Sequence, residues 1–139
     1  MQENYLALQC KSCHLKISKP VRIYEAGVNG AIEPEFCDGL HVIQNGFAYK
    51  SVRPYRTDSS SKKDKLDFVP QYWMTIQDVL PEVTLTMDLA RLNGCCGLDG
   101  CDGPNRVCSC GAEVGTEMSD CWTSHLFIPD PGQTNWVLV

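Results

Sequence analysis

The segment Arg91–Gly111 reads RLNGCCGLDGCDGPNRVCSCG and holds five cysteines and five glycines in twenty-one residues. It has few large side chains to define its shape, and glycine costs more backbone entropy to order than any other residue. Because the segment has few side chains that could form a core, its many thiols indicate that a bound metal ion stabilises it instead. Metal binding coupled to folding supplies on the order of 10 kcal/mol. We therefore expect residues 93–121 to form an irregular, metal-binding region rich in cysteine and glycine.

The cysteine content of the whole chain has two interpretations, disulfides or metal ligation, and the compartment separates them. The chain has nine cysteines. Its first residues, MQENYLALQCKSCH, show neither the basic nor the apolar region of a signal peptide. No run approaches the roughly 18 apolar residues of a membrane span. These observations predict a cytoplasmic protein without a membrane partner, whose reduced thiols bind metal.

Two short turns carry paired cysteines. Cys10-Lys-Ser-Cys13 lies between two β-patterned stretches, and Cys108-Ser-Cys110 is followed by Gly111, which allows the turn a positive φ. Two cysteines on a tight turn present both sulfurs on one side, within reach of an ion at about 2.3 Å. The two turns together predict one zinc site with four ligands: Cys10, Cys13, Cys108 and Cys110.

These paired turns resemble the zinc ribbon, in which two cysteine-bearing β-turns hold one tetrahedral ion. The resemblance covers residues 5–24 and 105–116. It departs from the ribbon pattern in the second turn, where one residue rather than two separates the cysteines. The resemblance implies a β-hairpin frame with a structural zinc ion, and zinc ribbons often bind nucleic acids.

The other cysteines of the region predict a second zinc site or alternative ligands for the first: Cys95, Cys96, Cys101 and Cys121. Because adjacent cysteines rarely ligate one ion without strain, we expect only one of Cys95 and Cys96 to bind. Either of them could replace Cys108 in the first site. Cys37 fits a packed core position, since free cysteine is among the most buried residue types, and Cys121 fits ligation and packing equally. The chain is thus expected to hold one zinc ion or two.

Apolar and polar residues alternate in several segments, the pattern of half-buried strands. The alternation runs through LKISKPVRIY at 15–24 and VTLTMDL at 83–89. Asn-Gly pairs at 29–30 and 45–46 are typical of hairpin turns, and HVIQ and FAYKSV around the second pair are expected to form its strands. The sequence predicts a mainly β fold: a single zinc-stabilised domain, 1–139, of antiparallel hairpins with a mobile loop at about 57–67.

Patterns that suggest catalysis are weak in this chain. Residues 10–14 match the C-x-x-C-H string that attaches haem, but that reaction belongs to exported proteins and leaves the second cysteine cluster without a role. No histidine has a glutamate at the offset that water-activating zinc enzymes use. Cys37 with His41 and Cys121 with His125 are nucleophile pairs only if the local structure is helical. We expect no enzyme, with a metal- or cysteine-dependent enzyme as one alternative.

Charge disfavours binding to phosphate backbones. The net charge is −5, with 12 basic and 17 acidic residues, whereas affinity for nucleic acids comes largely from basic side chains that release counterions. Arg53-Pro-Tyr-Arg56 is the one candidate basic patch for a nucleic acid. A zinc-ribbon nucleic-acid-binding protein is the other alternative.

The combination of small size, acidic charge and a metal-fixed β frame favours a protein-binding module with a basic partner. In size, charge and missing catalytic machinery the chain is similar to bacterial immunity proteins and antitoxins, which implies that it neutralises such a partner. Aromatic residues are enriched at interfaces. The residues expected at the interface are Tyr72, Trp73, Asp99 and Asp102.

Overall fold

A computed structural model describes residues 4–55 and 66–139 of the chain. The strands are β1 (Leu6–Cys10), β2 (Arg22–Tyr24), β3 (Phe47–Ser51), β4 (Gln71–Met74), β5 (Thr84–Leu85), β6 (Arg106–Val107), β7 (Glu113–Met118), β8 (Leu126–Pro129) and β9 (Thr134–Leu138). Two 3-10 turns occupy Ile76–Asp78 and Leu89–Arg91. The predicted mainly β class is confirmed. No helix in the described ranges has the length and apolar character to cross a bilayer.

The strands form two sheets. β1 and β9 pair antiparallel along their full lengths, with Leu6 opposite Leu138 and Cys10 opposite Thr134. The other seven strands lie in the order β2-β3-β4-β8-β7-β6-β5. Neighbours in this sheet are antiparallel except β2 and β3, which are parallel. The sheet is therefore antiparallel, as predicted, apart from this one parallel pair.

Two predicted strand segments differ from the structure. The turn at Asn45 and Gly46 forms, but residues 41–44 make no strand, because β3 instead finds its hydrogen-bond partners in β2 and β4. The strand predicted through 83–89 ends at Leu85, and Met87 is 95% exposed. This segment lies at the sheet edge beyond β6. Val83 is buried in the core, whereas Leu85, Met87 and Leu89 are exposed. The loop predicted at 57–67 lies outside the described residues except for Leu66, which is buried, and Asp67.

Apolar side chains pack on both faces of the large sheet. Consecutive residues of one strand point to opposite faces, and Met74 and Trp73 accordingly enter different core clusters. Cys10 and Cys108 belong to the cluster that contains Met74, so the first cysteine site lies at the rim of this core. Trp73 is 1% exposed in the other cluster. The prediction that Trp73 lies at an interface is therefore wrong: its ring fills a core position, and its Nε1–H donates to Gln71.

Candidate metal centre

The first cysteine turn closes the end of β1. The N–H of Cys10 donates to the carbonyl of Leu15 at 2.9 Å, and the N–H of His14 donates to the carbonyl of Cys10 at 2.8 Å. His14 takes the left-handed conformation with φ of 65°. These bonds fold residues 10–15 so tightly that the sulfurs of Cys10 and Cys13 belong to one cluster.

The second turn repeats this hydrogen-bond pattern with one residue fewer. The N–H of Cys108 donates to the carbonyl of Ala112, and the N–H of Gly111 donates to the carbonyl of Cys108, both at 2.8 Å. Gly111, with φ of 93°, follows the second cysteine as His14 does in the first turn. The shorter spacing between Cys108 and Cys110 therefore still gives a turn with both sulfurs on one side.

The four predicted ligand sulfurs come together. The Sγ atoms of Cys10 and Cys110 are 3.6 Å apart, as are those of Cys13 and Cys108. All four lie within 4.8 Å of one another. A tetrahedron with arms of about 2.3 Å, the Zn–S distance, has edges of about 3.8 Å. The cluster is therefore positioned to hold a metal ion, and the alternative in which Cys95 or Cys96 replaces Cys108 is wrong.

Three thiols of this cluster have shifted pKa values, and the shifts differ in direction. The N–H of Ala112 donates to the sulfur of Cys110 and, with the neighbouring thiols, lowers the pKa of Cys110 to about 7. For Cys13 the N–H of Leu15 acts to lower the pKa, but desolvation and the other three sulfurs outweigh it and raise the pKa to about 12. Burial raises the pKa of Cys10. The Cys110 thiolate thus stands beside the protonated thiols of Cys10 and Cys13, and a cation would displace their protons.

A second cysteine group lies between two loops. The Sγ atoms of Cys95, Cys96 and Cys121 lie within 4.8 Å of one another, and all three residues are exposed. Cys96 and Cys121 form a disulfide. The segment at 94–97 directs the sulfurs of both adjacent cysteines to the same place. That only one of Cys95 and Cys96 binds an ion stays a prediction.

Two other cysteines lie outside both groups. Cys101 is exposed, with its Sγ–H directed at the carbonyl of Asp99 at 3.7 Å. The second group contains Cys95, Cys96 and Cys121 but not Cys101, so the prediction that Cys101 belongs to it is wrong. Cys37 is exposed rather than packed in the core, because the loop that carries it, before β3, runs along the surface.

Asp120 is the residue of this region that the sequence pattern missed. Its Oδ1 accepts the backbone N–H groups of Cys95, Cys96 and Gly97 at 3.0, 2.8 and 3.1 Å. The hydrogen bond from the N–H of Cys96 is the main reason why the pKa of Asp120 lies below its ordinary value. These donors lie more than twenty positions away in the chain, so no local spacing indicates them.

The remaining predicted interface residues are only partly available to a partner. Tyr72 is half-buried and its ring packs edge-on against Trp136, with centroids 5.5 Å apart. Asp99 and Asp102 are half-buried and accept hydrogen bonds inside their own loop, from the N–H of Cys101 and the Nδ2 of Asn93. Their oxygens are thus partly used to shape the loop.

Comparison of the chain with protein-family models, with curated proteins and with solved structures finds no match.

Proposed function

We propose that this chain is a non-enzymatic, cytoplasmic protein-binding module whose fold is stabilised by one zinc ion at Cys10, Cys13, Cys108 and Cys110. The observation that carries the proposal is the cluster of four sulfurs, all within 4.8 Å of one another. Structural zinc sites use four such ligands, whereas catalytic sites keep one position open for water. The ion therefore fixes the two cysteine turns, as in a zinc ribbon, and takes no part in turnover.

An exposed apolar patch supplies the binding surface. Trp122 is 71% exposed and Leu40 is 59% exposed. Their segments lie side by side, since the N–H of Gly39 donates to the carbonyl of Thr123 and the N–H of His125 donates to the carbonyl of Leu40. We call Leu40 and Trp122 the Leu40/Trp122 patch. Exposed aromatic and aliphatic residues on adjacent segments are typical of an interface anchor.

The partner is a basic protein. The chain carries a net charge of −5, and the acidic Asp38 is exposed two residues before Leu40. Opposite charge on a partner speeds encounter, while phosphate backbones are repelled. Neutralisation of such a partner, in the manner of an immunity protein or antitoxin, is the activity that this chemistry supports.

The test is affinity capture from the source cell with three immobilised proteins: the parent, Trp122→Ala and Met87→Ala. Met87 is 95% exposed outside the patch and serves as the matched control. Capture of one basic protein by the parent and Met87→Ala, with at least about tenfold weaker binding to Trp122→Ala, supports the proposal. Elemental analysis of all three should give at least one zinc per chain.

The same preparations are tested for a mobility shift of RNA and DNA. Tight nucleic-acid binding without a protein partner would reject the protein-binding module in favour of a zinc-ribbon nucleic-acid-binding protein. Purified protein without metal at the four-cysteine site would reject the structural zinc ion.

A further inference from the structure

The group Cys95, Cys96 and Cys121 contains one cysteine more than the two that form a disulfide. Cys96 and Cys121 already form a disulfide, and the sulfur of Cys95 lies within 4.8 Å of both. All three residues are exposed, so small molecules in solution reach them. A free thiol beside an accessible disulfide gives this group two chemical states, one oxidised and one with three thiols.

Several contacts besides the disulfide hold the two loops that carry these sulfurs together. Three backbone N–H groups of residues 95–97 donate to the Oδ1 of Asp120. Gly97 lies against the opposite loop, where a Cβ on it would clash with the carbonyl oxygen of Ser119. The N–H groups of Ser119 and Asp120 both donate to the carbonyl of Leu98. None of these contacts involves the disulfide sulfurs, so we expect them to keep the three thiols together after reduction.

We propose that the reduced group binds a second zinc-class ion through Cys95, Cys96 and Cys121, and that formation of the Cys96–Cys121 disulfide releases this ion. Thiolates select soft and borderline cations. Three gathered thiolates supply three of the four ligands of a tetrahedral site, and their exposure leaves the fourth position to water. Disulfide and metal exclude each other because both use the same two sulfurs.

The oxidant is a low-molecular-weight disulfide, RSSR. The thiolate of Cys121 attacks one sulfur of RSSR, forms a mixed disulfide and expels one RS⁻. The thiolate of Cys96 then attacks the Sγ of Cys121, forms the Cys96–Cys121 bond and expels the second RS⁻. Two electrons pass from the two cysteines to RSSR, the ion loses two of its three sulfur ligands, and Cys95 stays reduced. A dithiol reverses both steps.

This inference does not rest on the proposed function, because it uses three cysteines outside the four-cysteine site. The full-length protein is reduced, loaded with zinc and desalted, and its zinc content is measured before and after treatment with glutathione disulfide. The expected result is one equivalent more zinc in the reduced protein. Peptide mapping of the treated protein should show Cys96 linked to Cys121.

Two variants separate this site from a purely structural disulfide. Cys95→Ser should form the disulfide but lose the difference in zinc content, since only two thiolates remain. Cys101→Ser, an exposed cysteine of the same region, should behave like the parent. Equal zinc content in the reduced and oxidised parent overturns the proposal, as does an unchanged difference in Cys95→Ser. Zinc that stays bound after oxidation belongs to the four-cysteine site alone. If the oxidised protein retains no zinc, that result counts against the proposed function and not against this inference.

Discussion

His14 and Gly111 hold the same position in the two cysteine turns, directly after the second cysteine and with positive φ. A left-handed conformation costs a residue with a Cβ roughly 1–2 kcal/mol, a cost that glycine avoids. His14 lies outside the group of sulfurs that can share an ion. We therefore expect His14→Gly to keep its zinc and to melt at or slightly above the temperature of the parent.

Cys13→Ser is the matched variant in the same turn. It removes one of four ligands, so we expect it to lose zinc and to melt far below the parent, because metal binding is coupled to folding. Zinc content and thermal melting with and without chelator measure both variants. Loss of zinc from His14→Gly would make His14 a ligand, and a Cys13→Ser protein that keeps its zinc would remove Cys13 from the site.

The protonation of single thiols predicts how metal affinity depends on pH. The pKa of Cys13 is about 12 and that of Cys10 is raised, so both carry protons at pH 8, whereas Cys110, with a pKa of about 7, is largely ionised. Zinc must displace the bound protons. Affinity should therefore rise with pH through the neutral range, with protons from Cys10 and Cys13 released at pH 8.

Calorimetry in buffers with different ionisation enthalpies measures this proton release directly. Cys101→Ser serves as the control because it lies outside the site and should release the same number of protons. Zinc binding at pH 8 without net proton release would show that the thiols are already ionised and would contradict the order of pKa values.

The sequence predicts the four ligands because cysteine spacing on a turn is local information. It does not identify Asp120, whose donors at 95–97 reach it only through the folded arrangement of two loops. It also assigns Trp73 to an interface, because the identity of an aromatic residue does not show whether its side chain is buried or exposed. Only the packing of β4 between two clusters decides that Trp73 is buried.

At the level of strands, the four-cysteine site joins the two sheets. Cys10 ends β1 of the small sheet, while Cys108 follows β6 and precedes β7 of the large sheet. A chelator should therefore release β1, β9 and the β6–β7 turn first. Hydrogen exchange should accelerate there, while β4 and β8, packed on both faces, keep their protection longer.

Mass-spectrometric hydrogen exchange with and without chelator tests this order. Peptides from 71–74 and 126–129 act as internal controls within the same molecule. Equal loss of protection in all strands would show that the ion stabilises the whole fold as one unit. No change near β1 would show that the ion is not what joins the sheets.

Strands are predicted correctly where the paired residues are near one another in the sequence, and less well where they are distant. Ile17 and Val21 alternate as predicted and are both fully buried, because the returning chain pairs with β1 nearby in sequence. The pairing of β3 with β2 and β4 depends on distant segments, and the local hairpin signal at Asn45-Gly46 predicts the turn but not the partner. Long-range pairing is where sequence pattern alone fails.

For the whole molecule, charge and exposed surface together predict the kinetics of association. A net charge of −5 attracts a basic partner over a screening length of about 8 Å at physiological ionic strength. Association should slow as salt rises, while dissociation changes little. Asp38 lies beside the Leu40/Trp122 patch and Glu82 is an exposed acid outside it. Asp38→Asn and Glu82→Gln change the net charge equally.

We therefore expect Asp38→Asn to slow association with the captured partner more than Glu82→Gln does, in stopped-flow measurements at low salt. The reason is that a charge near the contact acts over a shorter distance than one elsewhere on the surface. At high salt the two variants should converge on the rate of the parent. Equal slowing by both variants at low salt would place the contact away from the patch, and association rates that do not change with salt would remove charge from the recognition.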